Sequence, residues 1–369
     1  MRQNFLFFYV SKVNNILLKA YSQNQEQRYG GYRVKLLPWQ VKRYVVTKLD
    51  EETDPTHGVA PQNREIKEHI NYGVINLDKP SGPTSHEVVA WVKQLLKIER
   101  AGHGGTLDPR VTGVLPVALQ GATKIAQVFL YSGKEYVCVM RLHSTIPHER
   151  VQEVIDEFVG ELYQRPPLRS SVSRRMRRRT IYYIKDVEFL ERRVLFRVGC
   201  QAGTYIRKLC FDIGEALGSG AHMEELRRTR TGPLTEDKDL ITFYDLYKAY
   251  HLWTEGNDES MLRTIIQPME NALALVPKIF LRDSAVDSIC HGANLAIPGI
   301  AKFESGILNR GVVALFTLKG ELIALAKALM TSEEIDEKER GLATDTMRVL
   351  MIPGTYPRLW RKRGVKDQG

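Results

Sequence analysis

The sequence is poor in cysteine and contains no long apolar run. Its four cysteines are widely spaced and include no Cys-x-x-Cys pair: Cys138, Cys200, Cys210 and Cys290. This spacing argues against a disulfide framework and a structural zinc site, and it favours a reducing, cytoplasmic compartment. Because no apolar run approaches the length of a membrane span, we expect no membrane partner.

The N-terminal segment has no acidic residue before Glu26. Its apolar stretch covers only residues 5–10 and is followed by Lys12 without a small-residue cleavage site, so a signal peptide is not predicted. We interpret residues 1–27 as a disordered extension, with an organellar presequence or a misassigned start codon as the alternatives.

The charge balance is basic, with 53 Lys and Arg against 43 Asp and Glu and a net charge of +10. This excess favours a polyanionic partner, although many basic proteins bind no nucleic acid. At 369 residues, of which 43% are hydrophobic, the chain is long enough for two domains with real cores and a tail.

Regular elements begin after a polar, turn-rich segment at residues 28–71. Residues 74–77 read as a strand, and Thr84 with Glu87 forms a capping box for a helix that should run to about Ile98. Further strands are expected at 136–143 and 194–200, and further helices at 151–158 and 203–217. This mixture, without βαβ regularity, predicts an α+β domain over residues 72–270 with a mixed, largely antiparallel sheet.

The pattern changes after Pro277. A short helix at 284–290 is followed by strands at 312–318, 321–329 and 347–352. We therefore predict a separate, small β-rich domain at residues 277–352. Residues 353–369 form a basic tail, with five basic residues between Arg358 and Lys366.

Asp108 lies in a glycine-rich segment, residues 102–109. An aspartate can act as nucleophile, metal ligand, general base or turn residue. Gly102, Gly104 and Gly105 would let a ligand approach the backbone closely. Metal binding fits poorly because no His, Cys or Asp cluster with ligand spacing surrounds Asp108. The residues alone leave an ordinary Asp-Pro turn as plausible as a reactive group.

Longer motifs around this segment narrow the choice. Residues 101–116 closely resemble the catalytic motif of the TruB/dyskerin family of pseudouridine synthases. Three more family-like motifs follow the family order along the chain, at residues 73–86, 205–209 and 226–232. The resemblance implies a pseudouridine synthase catalytic domain and a cofactor-free isomerisation, in which a uridine is flipped out of its stack and its base rejoins the ribose through C5.

The resemblance also implies roles for individual residues. Asp108 is the nucleophile, and the resemblance leaves open whether it attacks the base or the ribose. Arg207 would pair with the carboxylate and keep it ionised and oriented. Tyr136 would stack on the flipped base and assist removal of the C5 proton. Taken alone, Tyr136 would be half-buried packing and Arg207 a surface residue.

Three further residues are expected at the substrate: His86, Leu226 and Lys79. His86 matches a histidine that helps to hold the displaced base, and Leu226 an apolar residue of the uracil pocket. An exposed helix-start histidine and a core leucine are the plain alternatives. Lys79 and Pro80 are expected to shape the loop beneath the site.

Seven arginines fall within fifteen residues: Arg165, Arg169, Arg174, Arg175, Arg177, Arg178 and Arg179. Such a run is usually only a solvated surface. No acid interrupts the sequence from Arg165 to Lys185, so we expect a mobile loop that closes over RNA phosphates.

The segment at 277–352 resembles a PUA domain, a small RNA-binding β-barrel, with His291 in its RNA-facing helix and loop. In the family, residues corresponding to 28–71 pack against this domain. The resemblance is greatest to archaeal members, which implies structured RNA partners: tRNA at its TΨC loop, or an H/ACA guide RNA with an rRNA target and small core proteins. A non-catalytic RNA scaffold is the alternative from another class.

Overall fold

A computed structural model describes the backbone of residues 26–29 and 32–35 and all of residues 37–165 and 175–358. The expectation for residues 1–25 and for most of the basic tail lies outside these residues. The described chain divides into two compact units. The first, called the catalytic unit below, comprises residues 26–39 and 74–267. The second, called the C-terminal unit, comprises Gln40–Gly73 and the chain from Pro268 onward.

Strands in the described residues are β1 (Glu26–Tyr29), β2 (Tyr32–Lys35), β3 (Val45–Thr47), β4 (Gly73–Lys79), β5 (Ala101–His103), β6 (Thr112–Leu119), β7 (Lys134–Leu142), β8 (Gly160–Gln164), β9 (Arg177–Leu190), β10 (Arg193–Cys200), β11 (Ala221–Thr231), β12 (Leu234–Thr235), β13 (Ile266–Pro268), β14 (Lys278–Leu281), β15 (Ile300–Glu304), β16 (Val312–Thr317), β17 (Leu322–Ala328) and β18 (Thr344–Val349). The α-helices are α1 (Ile66–Asn71), α2 (Ser85–Leu96), α3 (Ala126–Tyr131), α4 (His148–Glu157), α5 (Ile206–Ala216), α6 (Phe243–Gly256), α7 (Ser260–Ile265), α8 (Asp283–Cys290) and α9 (Ser332–Glu337).

The catalytic unit is built on one mixed sheet in the order β13-β4-β6-β11-β7-β10-β9-β8, with β5 paired to β6 and β12 to β11. Strands β6 and β11 run parallel, whereas β7 pairs antiparallel with both β10 and β11. The α+β class with a mixed sheet is thereby confirmed. Thr84 and Glu87 form both bonds of the expected capping box, and the C-cap residue Lys97, directly after α2, is left-handed with φ of 53°.

Strand β7 shows how the sequence places the core. Its residues alternate between buried and half-buried, so Tyr136, Cys138 and Met140 share the buried face. Leu209 and Ile213 from α5 pack into the same cluster. The apolar face of α5 therefore packs on the buried face of β7, and this packing brings the segments of Tyr136 and Arg207 together.

The C-terminal unit contains a six-stranded sheet in the order β18-β17-β16-β14-β15-β3. Its edge strand β3 comes from residues far earlier in the chain and pairs antiparallel with β15. All six residues of β16 are buried. Of the segment expected to pack on this domain, residues 40–71 group with it, whereas residues up to Trp39 group with the catalytic unit. In the described part of the chain, none of the helices combines the length and the apolar character needed to cross a membrane.

Candidate active site

The central feature is an ion pair between Asp108 and Arg207. Asp108 lies in the turn between β5 and β6, and Arg207 lies in the first turn of α5. The guanidinium Nη2 donates to Oδ2 of the carboxylate across 99 positions of sequence. Both side chains are about half exposed, 51% and 47%. The pair is thus fixed in orientation and still reachable from solvent.

Ser85 holds the residue that precedes Asp108. Its buried hydroxyl accepts a hydrogen bond from Leu107 N at 2.8 Å and donates to Leu107 O at 3.2 Å. The Ser85 side chain therefore fixes both backbone groups of Leu107. The next residue is held separately, because the Asp108 carbonyl accepts from Val111 N at 3.0 Å. Sequence reasoning missed Ser85, whose position inside the 73–86 motif was the only available signal.

Lys79 supports the same loop from below. Its side chain is fully buried, and Nζ donates to the carbonyls of Pro80, Pro109 and Val111 at 2.8–2.9 Å. Burial, with a smaller contribution from Arg228, lowers the pKa of its ammonium. Because its ammonium donates to three backbone carbonyls, Lys79 shapes the loop; contact of Lys79 with substrate stays a prediction.

Arg228 is a buried cation that sequence reasoning did not single out within the 226–232 motif. It is 1% exposed and donates from Nε to Val114 O at 2.8 Å and from Nη2 to Gly105 O at 3.1 Å. It also hydrogen-bonds Tyr136, whose pKa is raised by burial and partly lowered again by this guanidinium. Arg228 thereby joins the glycine-rich loop to strand β7.

Tyr136 is 8% exposed and belongs to the cluster that contains Leu107, and Leu226 is partly buried against the same cluster. The structure therefore brings three of the predicted site segments together: the Asp108 loop, β7 and β11. Little of the Tyr136 ring is accessible, so its expected stacking on a base stays a prediction.

His86 and His103 form an edge-to-face pair, with ring centroids 4.8 Å apart. His86 is exposed in the first turn of α2, and its contact with the displaced base stays a prediction. Burial lowers the pKa of His103 to about 4, and His86 and Arg228 contribute in the same direction. His103 is therefore neutral near pH 7, and its Nδ1 accepts from Gly105 N at 3.4 Å.

The arginine run is not one loop. Arg177, Arg178 and Arg179 form the start of β9, because they pair with the 162–164 stretch of β8. The expected mobile loop is therefore wrong for these three residues. Arg165 directly follows β8 and Arg175 is exposed, whereas Arg169 and Arg174 lie outside the described residues.

In the C-terminal unit, His291 follows α8 with its side chain 55% exposed. Its Nδ1 is 2.8 Å from the carbonyl oxygen of Asp287. Contact of His291 with RNA stays a prediction. No group of three or more His, Cys, Asp or Glu in the described parts of either unit is arranged to hold a metal ion.

Comparison with known proteins places this geometry in a family. Residues 93–148 match the TruB family pseudouridylate synthase (N terminal domain), and residues 207–274 match the tRNA pseudouridylate synthase B C-terminal domain. Residues 35–89 match the DKCLD (NUC011) domain and residues 277–350 the PUA domain. A probable tRNA pseudouridine synthase B of Methanopyrus kandleri is 56% identical over 92% of this chain and 99% of its own length. The chain belongs to the TruB family of pseudouridine synthases.

Other TruB-family members support the same assignment. A probable tRNA pseudouridine synthase B of Pyrococcus furiosus is 55% identical over 89% of this chain and 97% of its own. A solved chain from an H/ACA RNP bound to a substrate RNA containing 2′-deoxyuridine has a TM-score of 0.83 and 53% identity, covering 88% of this chain and 100% of that one. A chain from a Cbf5-Nop10-Gar1 complex also has a TM-score of 0.83 and 55% identity, covering 87% of this chain and 98% of that one. The family expected from the motifs, its pseudouridine synthase activity and its PUA domain are confirmed.

Proposed function

We propose that this protein isomerises uridine to pseudouridine in RNA with Asp108 as the nucleophile. The N1–C1′ bond breaks and a C5–C1′ bond forms; C5 gives up its proton and N1 gains one, so no cofactor is consumed. Attack by the carboxylate on either the base or the ribose fits this balance. The observation that carries the proposal is the half-exposed ion pair of Asp108 with Arg207.

Tyr136, Leu226 and His86 would contact the flipped base. Tyr136 and Leu226 supply an apolar wall, because both pack in the cluster behind the Asp108 loop. Burial raises the pKa of Tyr136, so its phenol is protonated at neutral pH. This protonation favours a contact role over removal of the C5 proton.

We propose that the RNA is delivered by an H/ACA guide, with small core proteins bound to the enzyme. Support comes from the relatives in the H/ACA RNP and in the Cbf5-Nop10-Gar1 complex, which match 87–88% of this chain. The second candidate is the TΨC-loop uridine of tRNA (position 55), since the curated relatives are named tRNA pseudouridine synthase B. The net charge of +10 and the exposed basic side chains of Arg175 and Arg178 suit either RNA.

We place the activity in the cytoplasm. All four cysteines belong to the described chain and are free, buried thiols. Cys138 and Cys210 lie 3.5 Å apart, sulfur to sulfur, without a bond. A reducing compartment suits such a pair.

The test is Asp108→Asn, assayed for pseudouridine formation on tRNA and on a guided target, with and without guide RNA and core proteins. We expect at least about a 10³-fold loss of kcat, because the amide is no nucleophile, and no loss of RNA binding. Asp156→Asn, on the exposed face of α4, is the matched control. An Asp108→Asn protein with wild-type activity would show that the nucleophile is misassigned, and a wild-type protein inactive on every RNA would favour the scaffold alternative.

A further inference from the structure

Helix α5, which carries Arg207, starts in an unusual way. Its N-cap position is Tyr205, whose side chain makes no capping hydrogen bond within the described part of the chain. Ser, Thr, Asp or Asn normally fills this position and satisfies the first backbone N–H groups. The orientation of the first turn must therefore be fixed by something outside the helix.

Gln164, the last residue of β8, supplies that restraint. Its side-chain Oε1 accepts from Tyr205 N at 2.9 Å, and its Nε2 donates to Tyr205 O at 3.1 Å. Gln164 is 1% exposed, so both bonds are shielded from water. One amide thus fixes both backbone groups of the N-cap residue, two positions before Arg207.

Strand β9 holds the same turn from its other side. Arg179 donates from Nε to Gly203 O at 3.1 Å, and Gln201 N donates to Thr180 O at 2.8 Å. Gln164 and Arg177 are register partners in the β8–β9 ladder. The turn at 201–205 is therefore attached to both strands of this pair.

This attachment has a consequence for the catalytic pair. Arg207 reaches the carboxylate of Asp108 from the first turn of α5, so a shift of that turn displaces the guanidinium directly. A displacement of about 1 Å at a reacting group can cost up to about 10²-fold in rate.

We propose that Gln164 is a positioning residue for Arg207 and that it couples the basic β8–β9 strand pair to the Asp108–Arg207 ion pair. Arg165 directly follows Gln164, and Arg177 and Arg178 begin β9. Phosphate contacts at these arginines act on the strands that hold the start of α5. The proposal rests on the proposed function, because it takes Asp108 and Arg207 as the reacting pair.

The test compares Gln164→Ala with Gln164→Glu in the full chain on the RNA that the wild type modifies. We expect Gln164→Ala to lower kcat about tenfold, with KM and RNA affinity changed less than about threefold, because placement of the guanidinium is lost while binding stays. Gln164→Glu keeps the acceptor for Tyr205 N but sets an oxygen against Tyr205 O, so its kcat should also stay below that of the wild type; it serves if the alanine variant fails to fold. Gln152→Ala is the matched control, since its amide donates to Asp156 on the surface of α4.

A double-mutant cycle with Arg207→Lys separates positioning from plain stabilisation. If Gln164 acts through Arg207, Gln164→Ala should cost less than about threefold in the Arg207→Lys background, against about tenfold alone. Equal losses in both backgrounds, or a change in KM with kcat kept, would overturn the proposal. Asp108→Asn in the same assay tells the two proposals apart: activity retained there contradicts the nucleophile assignment, whatever Gln164 shows.

Discussion

The two units bury charge of opposite sign. Among the described residues of the catalytic unit, the buried charged side chains are all cations: Lys79, Lys134 and Arg228. In the C-terminal unit the corresponding side chains are four acids, Glu270, Asp283, Asp287 and Glu321, and one arginine, Arg64, which forms a bidentate pair with Glu270.

The partners differ as much as the charges. The three cations donate to backbone carbonyls: Lys79 and Arg228 to segments around Asp108, and Lys134 to the C-terminal end of α3. The acids accept from backbone N–H groups of segments distant in sequence. Asp283 accepts from Asp54 N, and Glu321 accepts from Val59 N. Buried charge therefore builds a reactive site in one unit and fastens chain segments to a sheet in the other.

The strongest challenge to this comparison is Arg228→Met. It leaves the Gly105 and Val114 carbonyls without their donor, so we expect the free energy of unfolding to fall by about 3 kcal/mol. We also expect kcat to fall at least about tenfold, since the glycine-rich loop loses its link to Tyr136. Denaturant unfolding and the pseudouridine assay measure the two effects, with the exposed Arg150→Met as control. A stable, fully active variant would show that the buried cation serves neither purpose.

Glu321→Gln tests the other side of the comparison. Glu321 accepts from Val59 N at 3.0 Å, Thr317 Oγ1 at 2.9 Å and Tyr356 Oη at 2.8 Å. The amide turns one acceptor into a donor that faces other donors, so we expect a loss of about 2 kcal/mol in unfolding free energy. The kcat of the enzyme should stay unchanged. The exposed Glu333→Gln is the control, and a drop in kcat without a drop in stability would contradict the division of roles.

A pH series with Lys134→Met tests the buried lysine through its titration. Burial first, then Arg228, lowers the pKa of Lys134 to about 7 from an ordinary value of 10.5. Between these two values the unfolded chain binds more protons at this lysine than the folded chain does. The wild-type free energy of unfolding should therefore rise with pH across this window, relative to the variant, by up to about 1.4 kcal/mol per pH unit. Unfolding of both proteins at pH 6.5, 7.5, 8.5 and 9.5 measures the difference, and parallel curves would mean that Lys134 titrates normally.

Local patterns predicted much of the fold. The capping box of Thr84 and Glu87 depends only on neighbours, and the alternation in β7 depends only on which face is buried. The prediction for the arginine run was wrong for Arg177–Arg179 because the dense charge was interpreted as a loop. Ile181 and Ile184 are buried further along the same strand, so these arginines begin β9.

The site was predictable only where motifs reached it. Glycines made Asp108 a plausible reactive residue, and only the family motifs connected it to Arg207. Ser85 and Gln164 carry no signal of their own, since their backbone partners lie 22 and 41 positions away. The buried role of Arg228 could not be predicted either, because its guanidinium donates to backbone carbonyls and no acidic residue in the sequence marks such a contact.

The separation of 99 positions between Asp108 and Arg207 also matters for how the protein reaches its native state. Strands β6, β7, β8, β9 and β10 all lie within that interval, and the pair can close only when they have found their neighbours. Contacts of such long range form slowly, because the loop they close is entropically costly. A chain that has formed the Asp108 loop but has not yet folded the segment up to α5 therefore lacks the Asp108–Arg207 ion pair.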